Sequence, residues 1–328
     1  MVLTESSVFE RVMGSLAESP AQGGRKVCFR AMGTWCQITF VAGSRAAAEG
    51  FVGAAVRWVA DFEAKYSRFL PDSLIGRINQ STNKKWVEVD EETDRLFSIC
   101  QELYFFTRGV FDPTALPLIQ LWNWKADPPV IPDDSMVKST VERVGWRKVQ
   151  RRKGAIFLPH KGMSLDLGGI GKEYAVDRVV QLAQEFGIAD VLVDFGQDIR
   201  ANGHPADRPF WHIGLEDPHH PGTCWNSATV QDTAVATSGD YLRNFQAKGR
   251  RYGHILDPRS GYPVDNGCRA VTVIAPTCTF AGVLSTTAFV VGEKEGLKMI
   301  ENYFGAEGCI VTDKTRHQTA RFNEYLTH

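Results

Sequence analysis

The chain has 328 residues, 43% of them apolar and 23% charged, which is enough to bury a large core in one big domain or two intimate ones. A formal net charge of -1 provides no global positive field, so nucleic acid is not expected as a partner and any phosphate binding must be local. The seven cysteines are scattered, odd in number and contain no C-x-x-C pair, which excludes a disulfide framework and a cysteine zinc site and leaves them as reduced thiols.

In chain order, residues 1–26 read as a flexible N-terminal segment. Glu5, Glu10 and Arg11 stand where a secretory signal needs an unbroken apolar run of about 7 to 15 residues. No later stretch approaches the ~18 apolar residues of a membrane span. A cytoplasmic chain with no membrane insertion is therefore expected. From Val27 to Val41 the β-branched and aromatic residues read as strands interrupted at Met32-Gly33-Thr34, where the glycine marks a turn. Phe51, Ala54, Ala55, Trp58, Val59 and Phe62 recur at helical spacing and predict a long helix packed on that sheet. Asp90 is suited to cap a second helix carrying Leu96, Phe97, Cys100, Leu103 and Tyr104 and ending near Arg108-Gly109.

Asp112-Pro113-Thr114 reads as a turn that caps a short helix, followed by Trp122 and Trp124, which suit either a planar ligand or packing between lobes. The prolines and aspartates of Ala126 to Ser139 predict a loop. Beyond it, strands near Ile156, Val191, Trp211 to Leu215, Ala228 to Ala236 and Ala270 to Ala275 alternate with helices after Lys172, Phe280 and Glu293. The strands are too unevenly spaced for a regular βαβ series. The fold class expected is α+β with a mixed sheet, one compact unit of two lobes with a cleft between them.

Two stretches carry chemistry. In Ser164-Leu-Asp-Leu-Gly-Gly-Ile-Gly-Lys-Glu-Tyr-Ala-Val-Asp177 a short apolar strand enters a glycine-rich loop and then a helix, whose N-terminus favours anions. It is not a Walker A loop, because Asp166 stands where the first glycine belongs and Glu173 where the Ser/Thr belongs. The second stretch runs from Thr237-Ser-Gly-Asp-Tyr241 to Arg250-Arg-Tyr-Gly-His-Ile-Leu-Asp-Pro-Arg-Ser-Gly-Tyr262. Such polarity between two strands is costly to bury without a purpose. His254 suits proton transfer, or a structural role, and Arg259 suits a phosphate or carboxylate.

The order of these pieces, joined by Ser67, Ser73, Ile75 and Asn79, resembles the ApbE-type FAD:protein FMN transferases over about residues 27 to 313, and the transferase domain is expected to span 27–328. The resemblance implies an enzyme that binds FAD in the cleft with Mg2+ at its diphosphate, attaches FMN to a threonine of a client protein and releases AMP. It makes His254 the general base and places Met32, Ser67, Asp112, Lys172, Asp177, Asp240 and Asp257 in segments lining or shaping the FAD site. It implies metal ligands at Thr286 and at a backbone carbonyl of the glycine-rich loop, near Gly171.

One departure stands out: Gly282 occupies the position of the family's metal-binding aspartate, while Glu173 occupies a position that is usually glycine. Glu173 is accordingly expected to restore the missing carboxylate, the alternative being a solvated first-turn residue interacting with the helix dipole. Gln197 stands where a second glycine is common, and its side chain could narrow the approach to the flavin. Two other activities fit the same motifs: an FAD pyrophosphatase giving FMN and AMP, and a non-catalytic FAD-binding protein.

Overall fold

In the computed structural model, residues 5–21, 24–247 and 249–327 are described. Part of residues 1–26, the segment expected to be flexible, carries regular structure. Helix α1 (Glu5–Gly14) buries Val8 and Val12, and β1 (Ala17–Ala21) pairs with β2 (Gly24–Ala31). The helix has a local cause: two valines one turn apart make a narrow apolar stripe that needs only β2 and the flank of the helix over residues 45–66 to bury it. Residues 1–4 lie outside the described part.

β2 turns into β3 (Thr34–Val41) at Met32-Gly33, where both residues have positive φ, 51° and 73°. Positive φ at both central positions is the hairpin geometry that matches strand twist. Met32 holds it through its N–H, which donates to Glu63 Oε2 at 2.7 Å, and Glu63 is in turn paired with Arg11 at 2.7 Å. Along β3 the buried residues alternate as Cys36, Ile38 and Phe40. The long helix α2 (Arg45–Tyr66) is capped by the Ser44 hydroxyl and buries Phe51, Ala55, Val59 and Phe62, the periodic face read in the sequence.

A second apolar cluster follows. It gathers α3 (Leu74–Gln80), β4 (Val87–Glu88) and α4 (Glu91–Phe106), the last capped by Asp90 and stopped where Arg108 and Gly109 turn to positive φ. Next come α5 (Leu116–Trp122) and α6 (Asp134–Val141). The latter corrects the loop expected over 126–139, since the prolines end at Pro132 and nothing after Asp133 opposes a helix. Strands β5 (Gln150–Arg152) and β6 (Ala155–Phe157) join β4 in a small sheet.

The remaining chain returns to the large sheet through α7 (Gly171–Glu185), β7 (Asp190–Phe195) and β8 (Ile199–Asn202). A hairpin of β9 (Trp211–Glu216) and β10 (Cys224–Val230) precedes β11 (Ala234–Gly239), so the apolar run read as one strand near 228–236 is two. The hairpin β12 (Asn244–Ala247) and β13 (Arg250–Gly253) and the pair β14 (Leu256–Asp257) and β15 (Tyr262–Pro263) carry the polar stretch. Then follow β16 (Cys268–Ala275), α8 (Cys278–Val291), α9 (Glu293–Glu301), β17 (Glu307–Thr312) and β18 (Arg316–Gln318).

Among the described residues nine strands form one sheet in the order β1-β2-β3-β7-β8-β11-β16-β17-β18. The α+β class is as expected, but every pairing in this sheet is antiparallel, so it is not a mixed sheet. Its two faces are told apart by alternation: Ala234 and Ala236 of β11 face the cluster under α2, α7 and α8, while Val235 joins Trp211, Leu215 and Phe322 on the other side. No helix among the described residues is long and apolar enough to cross a membrane.

Candidate active site

A cleft of about 380 Å³ is lined by residues of the segment after α4, the first turn of α7, the loop between β7 and β8, the end of β11, the middle of α8 and the turn after β13. Chain-distant hydrogen bonds build its floor. The Asn79 carboxamide bonds both Leu165 N (2.7 Å) and Leu165 O (3.0 Å), which holds the segment that enters the glycine-rich loop; the strand expected there does not form, because its backbone pairs with this side chain and not with a neighbouring strand. Leu167 O then accepts from Ile170 N (3.0 Å) and Gly171 N (2.7 Å), curling the loop directly into α7. Ile170 offers no side-chain cap, so the first turn of α7 begins with N–H groups unclaimed by a capping side chain, at the positive end of the dipole.

Lys172 and Glu173 lie on this turn and line the cleft. Lys172 is ion-paired with Asp198; burial works against its charge, but Asp198 and then Glu173 more than offset that and hold its pKa above the usual lysine value. Glu173 is 7% exposed, and its Oε2 has no hydrogen-bond partner. Burial, with Asp198 adding to it, pushes this carboxyl above the ordinary range against the pull of Lys172. Ser238 Oγ of β11 lies 2.8 Å from Thr286 Oγ1 and 2.9 Å from Ser285 Oγ of α8, where the buried Thr287 hydroxyl has no partner.

At the other end of the cleft His254 follows β13. Its N–H donates to Arg243 O at 3.0 Å, and its Nδ1 lies 3.2 Å from the same oxygen. A carbonyl only accepts, so Nδ1 carries the proton and Nε2 keeps a free lone pair. Burial, then the positive charge of Arg243, lowers the His254 pKa to about 4, leaving a neutral ring at neutral pH. Trp124 sits beside it, ring centres 5.9 Å apart. Trp122 is a packing residue: it is buried, stacks on Tyr252 at 5.8 Å and donates from its indole N–H to Gly261 O at 2.7 Å.

Of the residues singled out in the sequence, His254, Asp112, Lys172, Glu173 and Thr286 line the cleft together. The Asp112 carboxylate is already engaged, with Thr114 N (2.8 Å) and Oγ1 (2.6 Å) on one oxygen and Trp146 N (3.2 Å) on the other. Met32, Ser67, Gly171, Asp177, Asp240 and Asp257 are not among the residues lining it. Met32 forms the β2–β3 turn, and Ser67 caps the end of α2 and accepts from Ser73 Oγ at 2.7 Å. Gly171 starts α7. Asp257 is turned to Arg259 (2.8 Å) and buried Asp240 to Arg251 (2.9 Å). Asp177 caps α8: its carboxylate takes Cys278 N (2.9 Å), Thr279 N (2.9 Å) and Thr279 Oγ1 (2.7 Å), with Arg200 at 2.7 Å.

Sequence reasoning did not single out Asp198, the partner of Lys172, nor Ser238 and Thr287. For Asp198 a signal existed: it follows Gly196-Gln197 at the mouth of a strand turn, where an acidic residue is poorly explained by β propensity. Asp166, read in the sequence as excluding a Walker A loop and as the start of a motif of the resemblance, also lines the cleft and pairs with Arg68 at 3.2 Å. Among the described residues no group of three or more His, Cys, Asp or Glu is placed to hold a metal ion. The oxygen set at Glu173, Thr286 and Thr287 fits a hard cation that draws its remaining ligands from water and substrate phosphate, as magnesium does.

Residues 32–310 match the model of the ApbE family. The chain is 32% identical over 305 residues to an FAD:protein FMN transferase of Treponema pallidum, covering 85% of this chain and 82% of the relative. It is 31% identical over 253 residues to one of Vibrio cholerae, covering 75% and 74%. Among solved structures it is similar to an ApbE protein of Thermotoga maritima, with a TM-score of 0.82, 31% identity and coverage of 93% of this chain and 100% of that one. It is likewise similar to the flavin transferase ApbE of Vibrio cholerae, with a TM-score of 0.83, 26% identity and coverage of 95% and 100%.

Proposed function

This chain belongs to the ApbE family, and from that premise we propose that it is an FAD:protein FMN transferase acting on a threonine of a client protein. The observation that carries the reading is the convergence, on one cleft, of an uncapped helix N-terminus with Lys172 and a neutral histidine whose Nε2 is free. The first pair suits a diphosphate and the second suits an incoming hydroxyl.

In the reaction the threonine oxygen forms a bond to the FMN-side phosphorus and the P–O bond to the AMP phosphate breaks. AMP leaves with the bridging oxygen, and the hydroxyl proton passes to His254 Nε2. Lys172, held by Asp198, balances the charge of the diphosphate, and the Gly168-Gly169 loop lets it approach the first turn of α7. Glu173, Thr286 and a loop carbonyl near Gly171 would hold magnesium, which would supply further charge neutralisation at the diphosphate. Asp112 shapes the FAD site from its wall. Met32, Ser67, Asp177, Asp240 and Asp257 act from behind it by fixing the turns and helix ends that form it.

The test is incubation of the protein with FAD, magnesium and a tagged threonine acceptor, following acceptor mass and AMP together. One FMN per acceptor with equimolar AMP is expected. AMP with an unmodified acceptor would replace this reading by an FAD pyrophosphatase, since the same histidine can activate water. Tight FAD binding with neither product would leave a binding protein.

A further inference from the structure

We infer, on the reading that a divalent cation serves this cleft, that Glu173 is its carboxylate ligand and that the bare backbone of Gly282 is what admits it. Helices α7 and α8 pack in antiparallel register. Asp177 meets Cys278 and Thr279 at the start of α8, and one turn back along α7 Glu173 meets Gly282, one turn on along α8. A Cβ placed on Gly282 would lie 2.6 Å from Glu173 Cγ, 3.0 Å from its Oε1 and 3.2 Å from its Cδ. Any side chain at 282 and the present Glu173 side chain therefore claim the same volume.

The two carboxylates on this face of α7 are used differently. Both oxygens of Asp177 are engaged by α8 and Arg200, whereas Glu173 is a residue of the cleft wall and its buried Oε2 bonds to nothing. Leaving a buried acceptor unsatisfied costs about 1–3 kcal/mol, more when charged, so such a group asks for a ligand. Lys172 does not supply it: its ammonium pairs with Asp198, and Glu173 Oε2 stays without a hydrogen bond. The next turn of α8 brings the Thr286 and Thr287 hydroxyls to the same cleft, the latter also without a partner. One carboxylate with hydroxyls beside a phosphate-binding helix end is a donor set for Mg2+ or Mn2+ and not for a soft metal.

The experiment titrates the FAD-loaded full chain with Mn2+ and follows free Mn2+ by EPR, with flavin fluorescence and a thermal melt as controls for FAD binding and folding. Wild type should bind one Mn2+. Glu173→Gln, nearly isosteric, should fold and bind FAD yet weaken Mn2+ by about 10-fold or more. Glu173→Gly/Gly282→Asp, which moves the carboxylate to the facing helix, should restore Mn2+ to near the wild-type level, and Gly282→Asp alone should not match wild type in both melt and Mn2+ affinity. Wild-type Mn2+ affinity in Glu173→Gln would overturn the inference while leaving the transferase reading intact. A wild-type protein that transfers FMN but binds no Mn2+ would remove the cation from both.

Discussion

His254 and Arg243 share one carbonyl: the histidine gives both its backbone N–H, at 3.0 Å, and its Nδ1–H, at 3.2 Å, to Arg243 O, across the open end of the β12–β13 hairpin. The ring is thereby pinned in the tautomer that leaves Nε2 basic, and burial with the nearby guanidinium keeps it unprotonated down to about pH 4. The pH profile of kcat/KM should therefore show no histidine limb near pH 6.5. Loss of the base form should appear only near pH 4. His254→Ala should cost about 10²- to 10⁴-fold in rate with FAD affinity kept. The sign for stability follows from the same shift: between pH 6.5 and 4 the unfolded histidine binds a proton that the native one refuses, so stability falls as pH drops through that window. Chemical melts of His254→Gln should show a shallower fall there.

Glu173 and Gly282 should be energetically coupled whether or not a cation is present. Gly282→Ala in the wild type forces the Glu173 side chain aside and should destabilise by about 1–3 kcal/mol. In a Glu173→Ala background the collision is gone, and the same change should be neutral or favourable by about 0.5–1 kcal/mol, the helix preference of alanine over glycine. A denaturant cycle over the four proteins in EDTA measures the difference. Additive values would mean that the two side-chain positions do not compete.

What could be read from the sequence is what periodicity and local chemistry encode. The apolar faces of α2 and α4, the Asp90 cap and the glycine-rich entry to α7 stand in the structure as expected, because each depends on residues within a few turns. Helix α1 and strand β1 were not legible, since a two-valine stripe and the mostly exposed Ala17–Ala21 look like a polar tail until α2 and β2 are beside them. The role of Asp177 was hidden for a related reason: spacing puts it on one face with Glu173, but only the tertiary fold brings Cys278, some hundred residues away, to that face. The exchange of charge between Gly282 and Glu173 was stated from the sequence. The steric collision was not, because it depends on the antiparallel register of two helices.

Gln197 lines the cleft with φ at 74°, directly after Gly196 at 68°, and is exposed. A residue with a Cβ held there costs roughly 1–2 kcal/mol relative to a relaxed backbone. Gln197→Gly should raise the melting temperature or leave it level, since relief of strain is partly cancelled by the freer unfolded chain. It should also change the KM for FAD, because a side chain leaves the cleft wall. A melt that drops clearly would show that the Gln197 side chain contributes more than its backbone costs.

Asp177 separates a supporting role from a chemical one. Its carboxylate ties α7 to the first turn of α8 through three donors, with Arg200 of β8 as a fourth, and α8 in turn carries Val283, Thr286 and Thr287 into the cleft. Asp177→Ala would leave Arg200 without its partner and two buried N–H groups without an acceptor. The expected cost is on the order of 3 kcal/mol or more. Asp177 does not line the cleft, so its loss acts through α8: the fraction that stays folded should lose Mn2+ affinity as α8 shifts away from Glu173, with a smaller loss of FAD affinity. A variant with a wild-type melt and weakened FAD binding would instead return Asp177 to direct contact with the ligand.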